Sequence, residues 1–349
     1  MQFTHDWLPQ RVRFASGGAA EAVAEEVRRL GAARVMAIAA EATRAEPVLT
    51  GVPVAVLHTD VVMHVPLEVA ERARAVAADH DADALVCVGG GSTTGLAKAV
   101  ALNTGLPIVA VPTTYAGSEA TDVWGLTDDG RKTTGVDRVV LPRAVVYDAS
   151  LMLGLPVPTS VASGLNALAH CVDSMWGPRT DPIDQSLALE GIRALRTGLP
   201  GVVEDPMELA GREQTLYGAY LSALAFASAG SGLHHKICHV LGGMFNLPHA
   251  ETHAVVLPYV LALNAPAVPV LDQRMAEAFA ADSALAGLLA LRDETGAPRS
   301  LRDLGLSEDD VPKAVQPILD ASPESNPTPV TAESIAALLR AAWEGKEPG

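Results

Sequence analysis

Cysteine is scarce in this sequence: only three of its 349 residues are cysteines, Cys87, Cys171 and Cys238, and no Cys-x-x-Cys pair occurs. Three scattered cysteines exclude a disulfide framework and are typical of a reducing compartment. The N-terminal residues also lack the continuous apolar core of a signal peptide. We therefore expect a cytoplasmic protein.

Basic residues are also few, with 25 Lys and Arg against 41 Asp and Glu, and the formal net charge is −16. No run of Lys or Arg occurs, which argues against a nucleic-acid partner but leaves a small anionic substrate possible. The stretch from Thr215 to Leu233 is nearly uncharged and approaches the length of a membrane span. Because it is rich in Ala, Ser and Gly and leads into two histidines, we interpret it as a buried helix and expect no membrane partner.

The length is sufficient for two domains, at roughly 100–200 residues each. In residues 1–155, short apolar runs alternate with helix-like segments. The predicted strands are Val35–Ala39, Val54–Leu57, Ala84–Val88, Ile108–Val111 and Ala144–Tyr147, and the predicted helices are Ala19–Leu30, Pro66–Ala78 and Leu96–Leu102. Apolar runs separated by helices predict an α/β domain, Rossmann-like, with a mostly parallel sheet.

Residues 156–349 contain long Ala- and Leu-rich segments and almost no strand signals. The predicted helices are Val161–Trp176, Asp184–Thr197, Met207–Ala229, His234–Phe245, Ala250–Leu263 and Arg274–Thr295. A last helix is predicted after the loop at 321–330, with Thr331 as its cap and Glu333 in its first turn. We therefore predict an all-helical C-terminal domain, which begins near the Pro-rich break at Leu155–Pro158.

A glycine-rich turn, Gly89-Gly90-Gly91-Ser92, follows the predicted strand Ala84–Val88 and precedes a helix. Glycines in this position let backbone N–H groups approach a phosphate, and the helix N-terminus adds a favourable dipole. The turn matches neither the GxGxxG fingerprint nor a P-loop. A phosphate-binding loop and a tight strand-to-helix turn both remain open.

A second motif, Pro112-Thr113-Thr114 with Gly117-Ser118-Glu119, comes directly after the predicted strand Ile108–Val111. Small hydroxyl side chains at the carboxyl end of a strand stand where open α/β sheets bind ligands. On its own the motif is equally compatible with an ordinary turn.

Histidine is concentrated in one region, where five of the ten histidines fall within 20 residues: His234, His235, His239, His249 and His253. His235 and His239 are four residues apart and share a helix face, as do Asn166 and His170. Such pairs are how a helical bundle builds a metal or catalytic site. We interpret His170, His235, His239 and His249 as site residues, and His234 and His253 as interior histidines whose hydrogen bonds are satisfied.

Four segments together resemble the iron-containing alcohol dehydrogenase family and follow its order over nearly the whole chain: GGGS with Lys98, PTT with GSE (112–119), GLNALAHCVDS (164–174) and GLHHKICHVLGGMFNLPHAETHAVVLP (232–258). Within that family, PTTYAGSEAT and residues 132–148 are most similar to the maleylacetate reductases. The resemblance implies an NAD(P)-binding α/β domain, a helical domain completing a dehydroquinate synthase-like fold, and a catalytic cleft between the two.

In metal-dependent members of the family, an Asp and three His bind Fe²⁺ or Zn²⁺, and the matching positions here are Asn166, His170, His235 and His249. A neutral amide is a poor ligand for a divalent ion. The maleylacetate reductases share this departure, and so does Gly95, where many other members carry Asp. The resemblance therefore implies that no catalytic metal is present and that the histidines hydrogen-bond substrate oxygens instead.

The resemblance further implies NADH- or NADPH-dependent reduction of an activated C=C bond, maleylacetate to 3-oxoadipate, in aromatic-compound catabolism and by a homodimer. His239 and His170 are expected to polarise the enolate oxygen or deliver the proton, with His235 and His249 beside them. Lys236 and Arg138 are expected to bind substrate carboxylates, with Asn166 as a further substrate contact. The cofactor contacts fall on Gly89, Gly90, Gly91, Ser92, Lys98, Thr113, Thr114 and Ser118.

Several points stay open. No basic residue stands near Thr328 and the Asp137–Arg138 site lacks the lysine expected in the subgroup, so the identity of the substrate is unsettled. An alcohol or aldehyde oxidoreductase of the same family is one alternative, and a non-catalytic NAD(P)H-binding protein is another. A zinc-dependent cyclising synthase is disfavoured by the missing carboxylate. Glu41, shortly after the first predicted strand, is a candidate partner for the ribose of NADH.

Overall fold

The computed structural model describes residues 2–128 and 131–348, with the side chains of Arg131 and Lys132 left aside. The chain divides into two compact units. One runs from Trp7 to Leu155, and the other contains the residues from Pro156 onward together with the short segment that precedes Trp7.

A six-stranded parallel sheet forms the first unit, in the order β1-β8-β5-β4-β2-β3. Its strands are β1 (Arg11–Phe14), β2 (Val35–Ile38), β3 (Val54–His58), β4 (Ala84–Gly89), β5 (Ile108–Pro112) and β8 (Ala144–Tyr147). The helices of this unit are α1 (Ala19–Leu30), α2 (Ala42–Ala45), α3 (Leu67–Asp79) and α4 (Gly91–Thr104). The predicted parallel α/β class is confirmed, because the inner strands are buried apolar runs of the kind a helix-covered sheet requires.

Three strands escape prediction because they carry no apolar run. Strand β1 lies at the edge of the sheet, and its Arg11 pairs with Glu26 of α1 at 2.9 Å. The other two, β6 (Val123–Asp128) and β7 (Arg131–Val136), form a separate antiparallel pair. Exposed side chains such as Val136 show that this pair buries little of its surface.

The second unit is helical, as predicted. Its helices are α5 (Val157–Ser174), α6 (Pro182–Glu204), α7 (Leu209–Ala229), α8 (Leu233–Phe245), α9 (His249–Asn264), α10 (Pro269–Phe279), α11 (Ala284–Thr295), α12 (Val311–Ala321) and α13 (Ala332–Glu344). The single helix predicted over Arg274–Thr295 is wrong, since Ala280 takes a left-handed φ of 56° that ends α10, and Ser283 then caps α11. Helix α12 was not predicted. Thr331 caps α13 as predicted.

Glycines allow α5, α6 and α7 to pack closely. A Cβ on Gly191 of α6 would lie 2.7 Å from Sγ of Cys171 on α5, and one on Gly218 of α7 would lie 2.7 Å from Cγ of Leu195 on α6. This packing buries α5 along most of its length, which fixes the helix that carries Asn166 and His170. Among the described helices, none combines the length and the apolarity that crossing a membrane requires.

Candidate active site

The glycine-rich turn lies where β4 ends and α4 begins. A Cβ on Gly89 would lie 2.3 Å from Oγ1 of Thr93, and a Cβ on Gly90 would lie 2.9 Å from Cγ2 of Thr114. Both approaches are closer than real Cβ atoms make. These two glycines are therefore required by the turn itself, whether or not a ligand binds there.

Gly91 differs from its two neighbours, because a Cβ at this position would meet only the methyl group of Ala116 within 4 Å, at 3.6 Å. Gly91 and Ser92 begin α4, and the cap residue Gly90 has no side chain to accept hydrogen bonds from the first turn. Exposed N–H groups at the positive end of a helix dipole bind phosphate groups. The geometry supports a phosphate-binding turn in which Gly91 keeps the approach open.

The two predicted cofactor motifs lie side by side, because β4 and β5 are neighbours in the sheet. The backbone N–H of Thr113 donates to the carbonyl oxygen of Gly89 at 3.0 Å. Gly117 takes a left-handed φ of 77° and begins a short helical turn that contains Ser118. Thr113, Thr114 and Ser118 thus follow β5 at the carboxyl edge of the sheet, which is where such sheets bind ligands.

Lys98 has a different position from the one expected of a cofactor ligand. The side chain is fully buried, and its Nζ donates to the carbonyl oxygens of Ser118 (2.6 Å), Thr121 (2.8 Å) and Val123 (2.8 Å). Burial lowers the pKa of Lys98 to about 8, while the nearby carboxylate of Glu119 raises it. Since the ammonium group is committed to the loop after β5, we assign Lys98 to shaping that loop rather than to contacting the cofactor.

Three helices bring the predicted histidines together. Helix α5 carries Asn166 and His170 one turn apart, α8 carries His235 and His239, and α9 begins at His249. The rings of His170 and His235 are stacked, with centroids 4.9 Å apart. The ring centroid of His239 lies 6.2 Å from that of His235 and 6.4 Å from that of His249. The four predicted histidines therefore form one cluster.

The cluster extends from the interior of the helical unit to its surface. His170 and His235 are buried, whereas His239 and His249 are exposed and Lys236 is partly exposed. The exposed members and Lys236 are therefore the ones that an incoming molecule meets first.

Asp173, which was not among the predicted site residues, holds His235 in place. Its Oδ2 accepts hydrogen bonds from Nδ1 of His235 at 2.7 Å and from the backbone N–H groups of His235 and Gly232 at 3.2 and 3.1 Å. Because Oδ2 already accepts two backbone N–H groups, it also accepts from the ring, so Nδ1 carries the ring proton and Nε2 presents a lone pair. The spacing of Asn166, His170 and Asp173 at i, i+4 and i+7 was the sequence signal for this residue.

Burial dominates the electrostatics of the cluster. It lowers the pKa of His170 to about 3 and that of His234 to about 4, and it lowers the pKa of His235 and His253 well below the ordinary value. It also raises the pKa of Asp173 to about 7, against the backbone N–H groups that lower it. The buried imidazoles are therefore neutral near pH 7.

Buried polar atoms without a hydrogen-bond partner are concentrated in this cluster. In the described chain they include Oδ1 of Asn166, Nδ1 of His170, Oδ1 of Asp173, Nδ1 of His234, Nε2 of His235 and both ring nitrogens of His253. His234 and His253 are fully buried, as interior residues should be, but only His234 is partly satisfied, through the carbonyl oxygen of His253 at 3.1 Å. Because interiors leave few such atoms unpaired, this concentration points to a bound molecule or water.

The donor set does not fit the family's divalent metal. The amide of Asn166 carries no charge, and the neutral histidines add none. Within the part of the chain that the structure describes, the tight groups of possible ligand atoms in this region are His234, Cys238 and His253, and Asp173, His234 and His235. Neither group contains Asn166, His170 or His249, and the position where the family has an anionic ligand holds the neutral amide of Asn166.

The remaining predicted residues lie outside this cluster. Arg138 is exposed and begins a short helical turn after β7, in the α/β unit. The hydroxyl of Thr328 donates to the carbonyl oxygen of Leu263 at 2.7 Å, so it fastens the loop before α13 to the end of α9. Glu41 is exposed and pairs with Arg44 at 2.8 Å.

Comparison with known proteins bears on both units. The family profile described as "Iron-containing alcohol dehydrogenase" matches residues 9–149, and the one described as "Fe-containing alcohol dehydrogenase family, C-terminal" matches residues 160–343. A maleylacetate reductase from Sphingobium indicum is 44% identical over 351 residues, covering 100% of this chain and 99% of the relative.

Solved structures are equally similar. An iron-containing alcohol dehydrogenase from Corynebacterium glutamicum superimposes with a TM-score of 0.98 at 58% identity, covering 100% of this chain and 98% of the other. A maleylacetate reductase from Agrobacterium tumefaciens does so with a TM-score of 0.94 at 41% identity, covering 100% of both chains. The resemblance found in the sequence is confirmed: the chain is an oxidoreductase and belongs to the iron-containing alcohol dehydrogenase family.

Proposed function

We propose that this enzyme reduces maleylacetate to 3-oxoadipate with NADH or NADPH. Relatives of that name match the full length of the chain in sequence and in structure. The observation that carries the proposal is the neutral donor set of the helical cluster, in which the amide of Asn166 accompanies buried, uncharged histidines. Such a set hydrogen-bonds the oxygens of an organic substrate, and Asn166 gives a divalent ion no anionic ligand at the position where the family has a carboxylate.

The turn at Gly91 and the loop after β5 would hold a nicotinamide cofactor, which when bound would supply a hydride to the carbon β to the ketone of the conjugated substrate. The chain's own residues then stabilise the enolate oxygen and deliver a proton. We assign proton delivery to His239, because it is exposed and accessible to solvent protons. His170, neutral and buried, donates a hydrogen bond to the enolate oxygen, and Asp173 keeps Nε2 of His235 available to the substrate.

Two cations, one in each unit, are candidates to bind the carboxylates of a small anionic substrate. Lys236 lies on α8 between His235 and His239 and is partly exposed, so its ammonium group is available to a carboxylate. Arg138 is exposed in the other unit and has the planar guanidinium that binds carboxylates in bidentate fashion. The homodimer and the cytoplasmic location stay predictions.

The reaction is further proposed to need no metal. Activity should survive dialysis against EDTA, and enzyme treated in this way should remain fully active while it holds far less than one Fe or Zn per chain. Asn166→Asp should raise the affinity for Fe²⁺ or Zn²⁺, whereas Asn246→Asp, which adds the same charge at the exposed end of α8, should not. A stoichiometric metal whose removal abolishes activity would contradict the proposal.

A second candidate is an alcohol or aldehyde oxidoreductase, favoured by the 58% identity to a structure named as an iron-containing alcohol dehydrogenase. Oxidation of NADH and NADPH with maleylacetate and with simple aldehydes, followed spectrophotometrically with and without chelator, separates the two. Turnover of maleylacetate that is unaffected by chelator supports the reductase. Turnover of aldehydes alone, abolished by chelator, supports the alternative.

A further inference from the structure

A second cluster of ligand-type side chains lies away from the histidines of the active site, where the N-terminal segment meets the start of α6. Nδ1 of His5 lies 2.8 Å from Oδ2 of Asp181 and 3.7 Å from Oδ1 of Asp184. All three side chains are at most 6% exposed. His5 is 176 residues from Asp181, so this contact fastens the beginning of the chain to the helical unit.

The side chains of Asp181 and Asp184 have four carboxylate oxygens, and two of these cap the N-terminus of α6. Oδ1 of Asp181 accepts the backbone N–H groups of Ile183 and Asp184, and Oδ2 of Asp184 accepts the backbone N–H of Asp181. These bonds form a reciprocal capping box, which fixes both side chains. The other two oxygens, Oδ2 of Asp181 and Oδ1 of Asp184, are turned toward the ring of His5.

The side chain of Asp184 is fully enclosed, and its Oδ1 has no hydrogen bond of ordinary geometry in the described chain. A buried carboxylate oxygen without a partner is costly, and it marks the place where a cation or donor belongs.

We propose that His5, Asp181 and Asp184 bind one divalent cation, such as Zn²⁺ or Mn²⁺, through Nδ1, Oδ2 and Oδ1. These three atoms lie within 4.8 Å of one another, a spacing that a metal at about 2.0–2.2 Å from each ligand draws together. Two carboxylates and one neutral imidazole balance the charge of a divalent ion. The hydroxyl of Ser228 lies 3.4 Å from Nδ1 of His5 and supplies a nearby fourth oxygen.

The site differs in chemistry from the active-site cluster. It has two anionic ligands and one imidazole, whereas the active-site cluster has several imidazoles and an amide. Its ligand His5 belongs to the N-terminal segment, where the neighbouring residues 2–4 and Asp6 are exposed, and this gives an ion a route inward. Its effect is structural, because the ion joins residues that precede Trp7 to α6 and thereby stabilises the helical unit.

Binding of Mn²⁺ to EDTA-treated enzyme, measured by electron paramagnetic resonance, tests the proposal. The wild type should bind one Mn²⁺ per chain with a nitrogen coupling from a single imidazole, and its thermal midpoint should rise when Mn²⁺ or Zn²⁺ is added. Asp184→Asn and His5→Gln should each weaken binding by at least tenfold and abolish the thermal shift. Glu333→Gln, which removes one carboxylate from the exposed first turn of α13, should change neither.

The histidine cluster is a competing site, and His235→Ala distinguishes it, since this variant should keep the Mn²⁺ signal. His5 lies outside the helical core, so His5→Gln decides the question if Asp184→Asn does not fold. Unchanged binding in His5→Gln, coupling to two or more imidazoles, or no binding by the wild type would each overturn the proposal. These readouts are independent of activity with maleylacetate.

Discussion

The loop around Lys98 in the α/β unit and the histidine cluster in the helical unit differ in how their buried polar groups are paired. In the α/β unit, Lys98 is wholly buried yet donates to three carbonyl oxygens, and Glu119 accepts a hydrogen bond from Tyr147 at 2.9 Å. In the helical unit, the cluster around His170 and His235 leaves ring nitrogens and carboxylate or amide oxygens without partners. Lys98 and Glu119 thus have hydrogen-bond partners within the folded chain, whereas several polar atoms of the histidine cluster do not.

The proposed function accounts for this difference by what each region binds. A phosphate-binding turn uses backbone N–H groups at a helix start, so its side chains are free to brace the loop. A site that hydrogen-bonds the reacting part of a substrate uses side chains, and these are left unpaired until the substrate arrives. Buried polar atoms without partners therefore identify the substrate-binding residues more specifically than the spacing of motifs does. Four predictions test this contrast.

Acid should destabilise the helical unit first. Because the folded pKa values of His170, His234, His235 and His253 lie below the unfolded value of about 6.5, the unfolded chain binds more protons below that pH. Stability present at neutral pH is therefore lost as the pH falls from about 6.5 toward 4. Asp173 offsets one histidine, because its pKa is raised to about 7. The unfolded chain should therefore bind up to three more protons than the folded chain, so the free energy of unfolding should fall by at most about 4 kcal/mol per pH unit.

Urea unfolding at a series of pH values measures this slope. Replacing one titrating ring, in His253→Phe, should lower the slope by about one proton. Hydrogen exchange at pH 5 should show α5 and α8 losing protection before β4 and β5. A slope that His253→Phe leaves unchanged would show that burial of these rings does not govern acid stability.

The same contrast explains what could be predicted from sequence. The inner strands and α1 were found because burial on two faces, or on one helical face, leaves an apolar pattern. Edge strand β1 and the pair β6 and β7 have no such pattern, since their side chains face solvent or ion pairs. The split between α10 and α11 depends on a left-handed alanine, Ala280, for which the sequence gives no signal.

Prediction of the site followed the same rule. The helical spacing that placed His170 beside Asn166 also reaches Asp173, which a search for histidines alone passes over. The role of Lys98 depends on carbonyl oxygens of a loop 20 to 25 residues away, and such contacts cannot be inferred from spacing along one chain. Family motifs identified the members of the cluster, but only the structure separates His239, which is exposed, from His235, which is enclosed.

His239→Ala should act mainly on kcat, with a loss of about 10²-fold or more, as expected when a general acid is removed. The KM for maleylacetate and the affinity for NAD(P)H should change little, because the ring is exposed. Steady-state kinetics and cofactor titration check both points. A loss confined to KM would assign His239 to substrate binding instead.

Lys236→Ala should raise KM for the dicarboxylate by about 10- to 100-fold, the range of a charged hydrogen bond of about 1.5–3 kcal/mol. Lys236→Arg keeps the charge and should recover most of the loss, which separates charge from packing. NAD(P)H affinity should stay unchanged in both variants. If Lys236→Ala lowers kcat and leaves KM alone, the lysine acts in the chemical step and not in binding.

Gly91 tests whether the glycine-rich turn binds the phosphate groups of the cofactor, because a Cβ there meets nothing closer than the methyl group of Ala116 at 3.6 Å. Gly91→Ala should therefore keep the stability of the fold, and any loss of NAD(P)H affinity reports on ligand space alone. Gly91→Val should lower the affinity for NAD(P)H by about tenfold, as overpacking typically costs 1–3 kcal/mol.

Gly90→Ala is the matched control: its Cβ would lie 2.9 Å from Thr114, so it should lower stability as well as affinity. Cofactor titration beside thermal unfolding separates the two effects. Equal affinity in Gly91→Val and the wild type would show that the phosphate groups bind elsewhere.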